Sequence, residues 1–200
     1  MAKRRPESEL PWTVEAFDRW HAQRPERWEL ILGVPVMIAP ATNRHSIIKL
    51  NIARHLANKL EGTRCTAMVD GPEVKVKWKR LSAIPDVLVT CSPIDLERGT
   101  IDEPVVLVEV VSPSSQRDDT GRKWLGYRVI PSLRHYLVVQ QETRFATLHS
   151  RTGDIPWSTT DYQEGEVVLD AIGVSLSFEE IYRGVIFPVI DLEPEGETAP

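Results

Sequence analysis

Apolar positions recur along this chain with two periods, one near 3.6 and one of 2, and the switches between them mark its elements. VEAFDRWHAQ follows Thr13, a residue type that caps helix N-termini, so a helix is predicted within 11–25. WELILG and VPVMIAP are short apolar runs meeting at Gly33, the pattern of a β-hairpin. A second helix is predicted over 44–60, opened by Asn43 and stopped by Gly62. RCTAMVD and PEVKVKW read as strands; in the second, Val74, Val76 and Trp78 alternate with Glu73, Lys75 and Lys77, which predicts an edge strand with one wet face. PDVLVT and VVLVEVV are almost wholly apolar, as central strands covered on both faces are. Ser114 and Ser115 introduce a polar helix, QRDDTGRKWLGYRV, that Pro131 terminates. Strands LRHYLVV and RFATLHS follow, separated by the turn QQET, and then a strand or two and a short closing helix over GEVVLDAIGVSL and FEEIYRGVIF. This order predicts a mixed α/β fold, a central sheet flanked by helices, and leaves the strand order open.

Composition narrows the picture little. The 200 residues, 42% hydrophobic and 26% charged, suit one globular domain, expected over 1–190 with an acidic, flexible tail at 191–200. Cys65 and Cys91 lie far apart without CxxC spacing, which argues against a disulfide framework and a zinc knuckle and for a reducing compartment. No apolar run approaches the ~20 residues that span a bilayer, so the expected location is cytoplasmic. A net charge of −5 counts against a dedicated nucleic-acid binder, although it averages over the acidic tail and says nothing of a single cleft.

Two acids change the reading. Glu109 interrupts the apolar run 105–111, where an ionised carboxylate needs a cation or strong donors to offset several kcal/mol of desolvation. Asp86 opens the other apolar strand directly after Pro85, and neighbouring strands would bring the two together. The alternatives are that Asp86 caps a turn and that Glu109 pairs with a buried arginine or a backbone group. Hard oxygen ligands without a Cys or His partner favour magnesium, manganese or calcium over zinc.

WELILGVPVMIAP, NRHSII, PDVLVT, VVLVEVVSPSS, RKWLGY and SLRHYLVV, in this order, resemble the Uma family of endonucleases in the PD-(D/E)xK, restriction-endonuclease-like superfamily. The most specific pieces are the Pro85-Asp86 pair and Glu109 ahead of Ser112, Pro113 and Ser114. The resemblance implies a restriction-endonuclease-like fold and hydrolysis of phosphodiester bonds, expected in DNA, with Mg2+ or Mn2+. It implies that Asp86, Glu109 and the carbonyl of Val110 hold the metal. The family's lysine two positions after the acid is absent, Val111 standing there, and Lys123 on the following helix fits that role. Tyr127, four residues on, shares its helical face and is placed to orient the lysine or a phosphate. Glu29 matches a family glutamate suited to a second metal or an outer-shell water, and His45 matches a family histidine. The chain departs from the family at Leu32, where an aspartate usually precedes the hairpin glycine.

Other chemistry fits less well. Ser112, Ser114 and Ser115 stand near Asp118 and Asp119 without a G-x-S-x-G elbow, and the histidines show no HExxH spacing. A glycosidase pair of Asp86 and Glu109 would leave Lys123 unexplained. On the second helix, Arg44, His45, Lys49, His55 and Lys59 fall within an arc of roughly 140°, either a solvated face or one that meets phosphates, with Arg44, His45 and Lys49 the substrate-binding candidates. Lys77, Lys79 and Arg80 read as solvated charge ahead of a substrate-facing loop. Two cuts across a duplex favour a homodimer. The rival reading is a binding module that keeps the fold without useful catalysis.

Overall fold

The two most apolar runs become neighbouring strands. In the computed structural model, which describes residues 11–112, 121–153 and 155–187, β6 (Val87–Thr90) pairs antiparallel with β7 (Pro104–Val111), and both are buried almost throughout. β7 pairs parallel with β8 (His135–Gln140), and β9 (Ala146–Ser150) and β10 (Ser158–Tyr162) extend that side antiparallel. With β3 (Thr66–Val69) beyond β6, the sheet has six strands in the order β10-β9-β8-β7-β6-β3. The single parallel step makes it mixed, and α3 (Gly121–Tyr127) lies in that crossover.

Period-2 alternation sends successive residues of β7 to opposite layers. Val106, Val108 and Val110 join Ile48, Ile52 and Leu56 of α2 (Asn43–Leu60) and residues of the 167–182 region, where β11 (Glu166–Leu169), β12 (Val174–Ser177) and α4 (Phe178–Ile181) lie. Leu107 and Val111 face the other layer, with Leu88, Tyr127 and Tyr136. That layer contains a second, antiparallel sheet in the order β2-β1-β5-β4, built from β1 (Trp28–Ile31), β2 (Val34–Met37), β4 (Val74–Val76) and β5 (Leu81–Ala83). α1 (Val14–His21), capped by Thr13, sets Phe17 against Leu30 at its margin. Covered in this way, the six-stranded sheet is the central one, flanked by α2 and α3.

Several expectations are corrected. The hairpin β1–β2, whose place the sequence left open, belongs to the covering sheet. The cap of α2 is Thr42 rather than Asn43, because the Thr42 hydroxyl accepts from the His45 N–H. The alternation of β4 stops at Val76: residues 77–79 form a 3-10 turn, Arg80 takes a left-handed φ of 51°, and Trp78 is 70% exposed. Cys65 and Cys91 are joined in a disulfide. They directly follow the paired Thr66 and Thr90 outward along β3 and β6, a proximity that sequence separation hides, and the bond removes the ground for expecting a reducing compartment. No described helix is long and apolar enough to cross a membrane. The first ten residues, the stretch 113–120 of the expected polar helix, with Ser114 and Ser115, and the acidic tail lie outside the described residues.

Candidate functional site

At the end of the central sheet where β7 finishes and β6 begins, a cleft of about 870 Å³ is lined by Glu29, His45, Lys49, Asp86, Glu109, Val110, Lys123 and Gln141, among others. Five elements meet there. β1 supplies Glu29, α2 His45 and Lys49, β7 Glu109 and Val110, α3 Lys123, and the residue after β8 is Gln141. The register Val87↔Val108, continued by one residue, sets Asp86 opposite Glu109. Glu109 projects to the side of α3, where it meets Lys123 and Tyr127, whereas the Asp86 carboxylate reaches the Val110 N–H and His45 and Lys49 of α2.

The two glutamates are each held through one oxygen, and Asp86 through both. Glu109 Oε1 accepts from Lys123 Nζ at 3.1 Å and from the Tyr127 hydroxyl at 3.2 Å. Glu29 Oε1 accepts from the Ile84 N–H at 2.8 Å and lies 3.0 Å from the same Lys123 Nζ. No described protein donor reaches Oε2 of either glutamate. Asp86 Oδ2 accepts from the Val110 N–H at 2.7 Å, while its Oδ1 meets His45 Nε2 at 2.9 Å and Lys49 Nζ at 3.9 Å. Lys49 leans mainly on Asp70, at 2.7 Å.

Val110 presents a further oxygen. Val105 and Val111 direct their carbonyls to the β8 side, accepting from Arg134 N and Gln141 N, so the intervening even-numbered residues face β6. The β6 residue opposite Val110 would be Pro85, which has no N–H to give. The Val110 carbonyl is therefore left without a ladder donor beside Asp86.

The electrostatics follow from two glutamates sharing one buried ammonium, with Asp86 close to Glu109. Burial pushes the Glu109 carboxyl up to about 8; Lys123 opposes this, while Asp86 and Glu29 add to it. Burial alone would lower the Lys123 ammonium, but Glu109 and Glu29 outweigh that and hold it above its ordinary value, so it stays charged. Burial and the neighbouring Glu109 and Glu29 likewise hold the Tyr127 hydroxyl well above its usual range, making it a permanent donor.

Sequence-expected residues are thus partly gathered and partly dispersed. Asp86, Glu109, Val110, Lys123, Glu29, His45 and Lys49 meet at the cleft. Tyr127 is fully buried behind Glu109 and braces it, out of reach of a phosphate. Arg44 is paired with Glu142 and does not line the cleft. The supposed basic stripe of α2 is the helix's core side: Ile48, Asn51, Ile52, Leu56 and Leu60 occupy that arc, and His55 is spent on Glu180 and the Ser175 carbonyl. Gln141 went unnoticed because a glutamine in the turn-like QQET carries no periodic signal.

The donor set suits a hard divalent cation. Glu109 Oε2 and the Val110 carbonyl have no described protein donor, Asp86 stands beside them with its Oδ1 on His45, and hard oxygens amid buried negative charge suit a cation. Among the described residues no group of three or more His, Cys, Asp or Glu side chains gathers for a metal, so such a site would consist of two carboxylates completed by backbone and solvent oxygens.

Comparisons with known proteins bear on the fold and the family. A crystal structure described as "a putative nuclease belonging to DUF820" from Anabaena variabilis superposes with a TM-score of 0.68 at 15% identity, covering 86% of this chain and 97% of that one, and so shares the fold. Two uncharacterized proteins of Synechocystis sp. are similar in sequence. One is 29% identical over 86% of this chain and 92% of its own length. The other is 26% identical over 74% and 86% respectively. The sequence model of the Uma2 family, described as "Putative restriction endonuclease", matches residues 14–179, and the chain belongs to that family.

Proposed function

We propose that this chain is a metal-dependent endonuclease that hydrolyses phosphodiester bonds in DNA with Mg2+ or Mn2+. The observation that carries the reading is the gathering of Glu29, Asp86 and Glu109 at one sheet end, with Oε2 of both glutamates left over and the two glutamates sharing the buried Lys123 ammonium. Asp86, Glu109 and the Val110 carbonyl would hold the cation, which when bound supplies Lewis acidity to a phosphoryl oxygen and lowers the pKa of a water.

The chain's own groups do the rest. Lys123 stays protonated and places a positive charge where negative charge develops in phosphoryl displacement. Glu29 and Tyr127 act on substrate only indirectly: Glu29 fixes the ammonium from one side, and Tyr127 fixes Glu109 from behind. This reading places Glu29 as a clamp on Lys123, with Oε2 open to an outer-shell water. His45 and Lys49 lie on the opposite flank of Asp86, where they orient that carboxylate, and Lys49 presents positive charge to a phosphodiester strand. Cutting both strands of a duplex would call for a pair of copies, so a homodimer is the proposed working assembly.

Calorimetric titration with Mn2+ tests the site. Wild type is expected to bind, and Glu109→Ala to bind more than tenfold more weakly. Lys123→Met should retain Mn2+ binding yet lower plasmid cleavage by about 10²-fold or more. Equal weak binding in wild type and Glu109→Ala would refute the metal site, and undiminished cleavage by Lys123→Met would refute the role of the lysine. Metal binding with no cleavage of duplex or single-stranded DNA would make the chain a binding module on a nuclease fold.

A further inference from the structure

Binding a polyanion takes positive charge that is free to meet it, and the cleft has little to spare. Lys123 lies between Glu29 and Glu109, Lys49 between Asp70 and Asp86, and the chain carries a net charge of −5. Elsewhere Arg44, Lys75, Arg98 and Arg144 rest against carboxylates. Lys79 and Arg80 do not: among the described residues no carboxylate meets either. They stand in the turn between β4 and β5, together with Trp78 and with Lys77, which Glu15 holds at 3.0 Å.

The turn presents these side chains rather than burying them. Trp78 is 70% exposed, and Lys79 Nζ lies 4.6 Å from its ring centroid. The backbone is fixed on both sides of Arg80, whose N–H donates to the Lys77 carbonyl at 2.9 Å and whose carbonyl accepts the Gly33 N–H at 2.8 Å. Arg80 thereby keeps a left-handed φ of 51°, a conformation that a residue with a Cβ holds only where its surroundings impose it. A Cβ on Gly33 would meet Arg80 Cδ at 3.2 Å, so the turn and the β1–β2 hairpin tip pack as one unit. A lone exposed tryptophan is ordinary on a protein surface. One held rigidly beside two unpaired cations is a flat apolar platform next to positive charge, the combination that binds single-stranded nucleic acid.

The turn also connects to the cleft. β5 begins directly after Arg80, and from Arg80 to Asp86 the extended chain reaches at most about 22 Å. Arg122, next to Lys123 on α3, donates to the Ile31 carbonyl at 2.9 Å beside the same hairpin tip, and among the described residues no carboxylate meets it, so positive charge continues from the turn toward the acids. We propose that Trp78, Lys79 and Arg80 form a docking surface for a single-stranded segment of the nucleic acid that enters the cleft, the cations taking backbone phosphates and Trp78 stacking on an unpaired base. The inference rests on the endonuclease reading and adds a substrate class to it: nucleic acid with an unpaired stretch beside the bond that is cut. Phosphate contacts and stacking hold such a strand without reading its sequence.

A labelled single-stranded DNA of about 20 nucleotides, titrated with the full chain in EDTA and followed by fluorescence anisotropy, tests this. Wild type should bind it, Trp78→Ala about tenfold more weakly, and Trp78→Phe, which keeps a ring to stack on, within about threefold of wild type. Lys79→Gln combined with Arg80→Asn, asparagine being tolerant of the left-handed φ, should reduce the slope of log affinity against log salt by about 1.4. Mn2+ affinity should match wild type in all three. No binding by wild type, equal binding by Trp78→Ala, or an unchanged salt slope in the double variant would each overturn the docking surface. Cosedimentation with phosphatidylserine vesicles that depends on Trp78, with no binding of the oligonucleotide, would overturn it in favour of a membrane-facing turn. Plasmid cleavage by wild type with Mn2+ reports on the endonuclease reading separately, so failure of that reading and failure of the docking surface are told apart.

Discussion

Glu109 takes both of its protein donors on one oxygen, and that asymmetry defines the site. Lys123 and Tyr127 hold Oε1 from behind, so the carboxylate is fixed while its second oxygen stays available in the cleft. Glu29 competes for the same ammonium, and its charge is one of the causes that push Glu109 up. Glu29→Gln keeps an oxygen for the Ile84 N–H and for Lys123 but removes that charge. The Glu109 carboxyl should therefore titrate lower than about 8 in this variant, as read by side-chain carbonyl NMR in EDTA; an unchanged or higher midpoint would contradict the coupling. Glu109 was legible in the sequence because a charge inside an almost wholly apolar run violates the pattern that surrounds it, and Asp86 because it opens the other such run directly after Pro85. Lys123 was visible only through the family resemblance, since a lysine in a polar helix looks like any solvated one. That it is buried follows from α3 closing over β1 and β5, which no local pattern encodes.

Those contacts make α3 the element on which the site depends. Gly126 lies against Leu81 of β5: a Cβ added there would meet Leu81 Cδ2 at 2.8 Å and Cδ1 at 3.1 Å. In an exposed helix Gly→Ala gains about 1 kcal/mol. Here Leu81 is fully buried and cannot retreat, so overpacking of about 1–3 kcal/mol wins. Gly126→Ala should lower the urea midpoint and weaken Mn2+ binding as α3 shifts Lys123 and Tyr127; a rise in stability would show that the packing is loose. Elements were legible where burial left an apolar run, as in β6, β7 and β8; the core side of α2 was masked by the basic residues that share its arc. Elements without such a run were not. β10 reads STTDY, polar on both faces at the sheet edge, and β5 has only three residues, so neither stands out from a loop. The crossing of the β1–β2 hairpin into a second sheet is a tertiary choice made by Leu81, Ile31 and Tyr127 packing together.

At the scale of the whole molecule, the buried acid ties folding to pH and, on the proposed reading, to metal. The Glu109 carboxyl sits at 4.5 when unperturbed and is raised to about 8 in the fold, so between these values the native state holds a proton that the unfolded chain has released. Stability must then fall as pH rises through that interval, by at most about 1.4 kcal/mol per pH unit. His135 and His149 are depressed from 6.5, chiefly by burial, and act in the opposite sense as pH drops below that value, so the range from 7 to 8 reports mainly on Glu109. In EDTA, urea unfolding of wild type should show stability declining from pH 7 to 8, whereas Glu109→Gln, which cannot ionise, should show no such decline. A divalent cation at the site reverses the sign, because it binds the deprotonated carboxylate: the stabilisation that Mn2+ gives should grow over the same interval and be absent in the variant. A wild-type profile that is flat from 7 to 8 in EDTA, or Mn2+ stabilisation equal in both proteins, would mean that the buried charge at the end of this sheet is balanced without a metal.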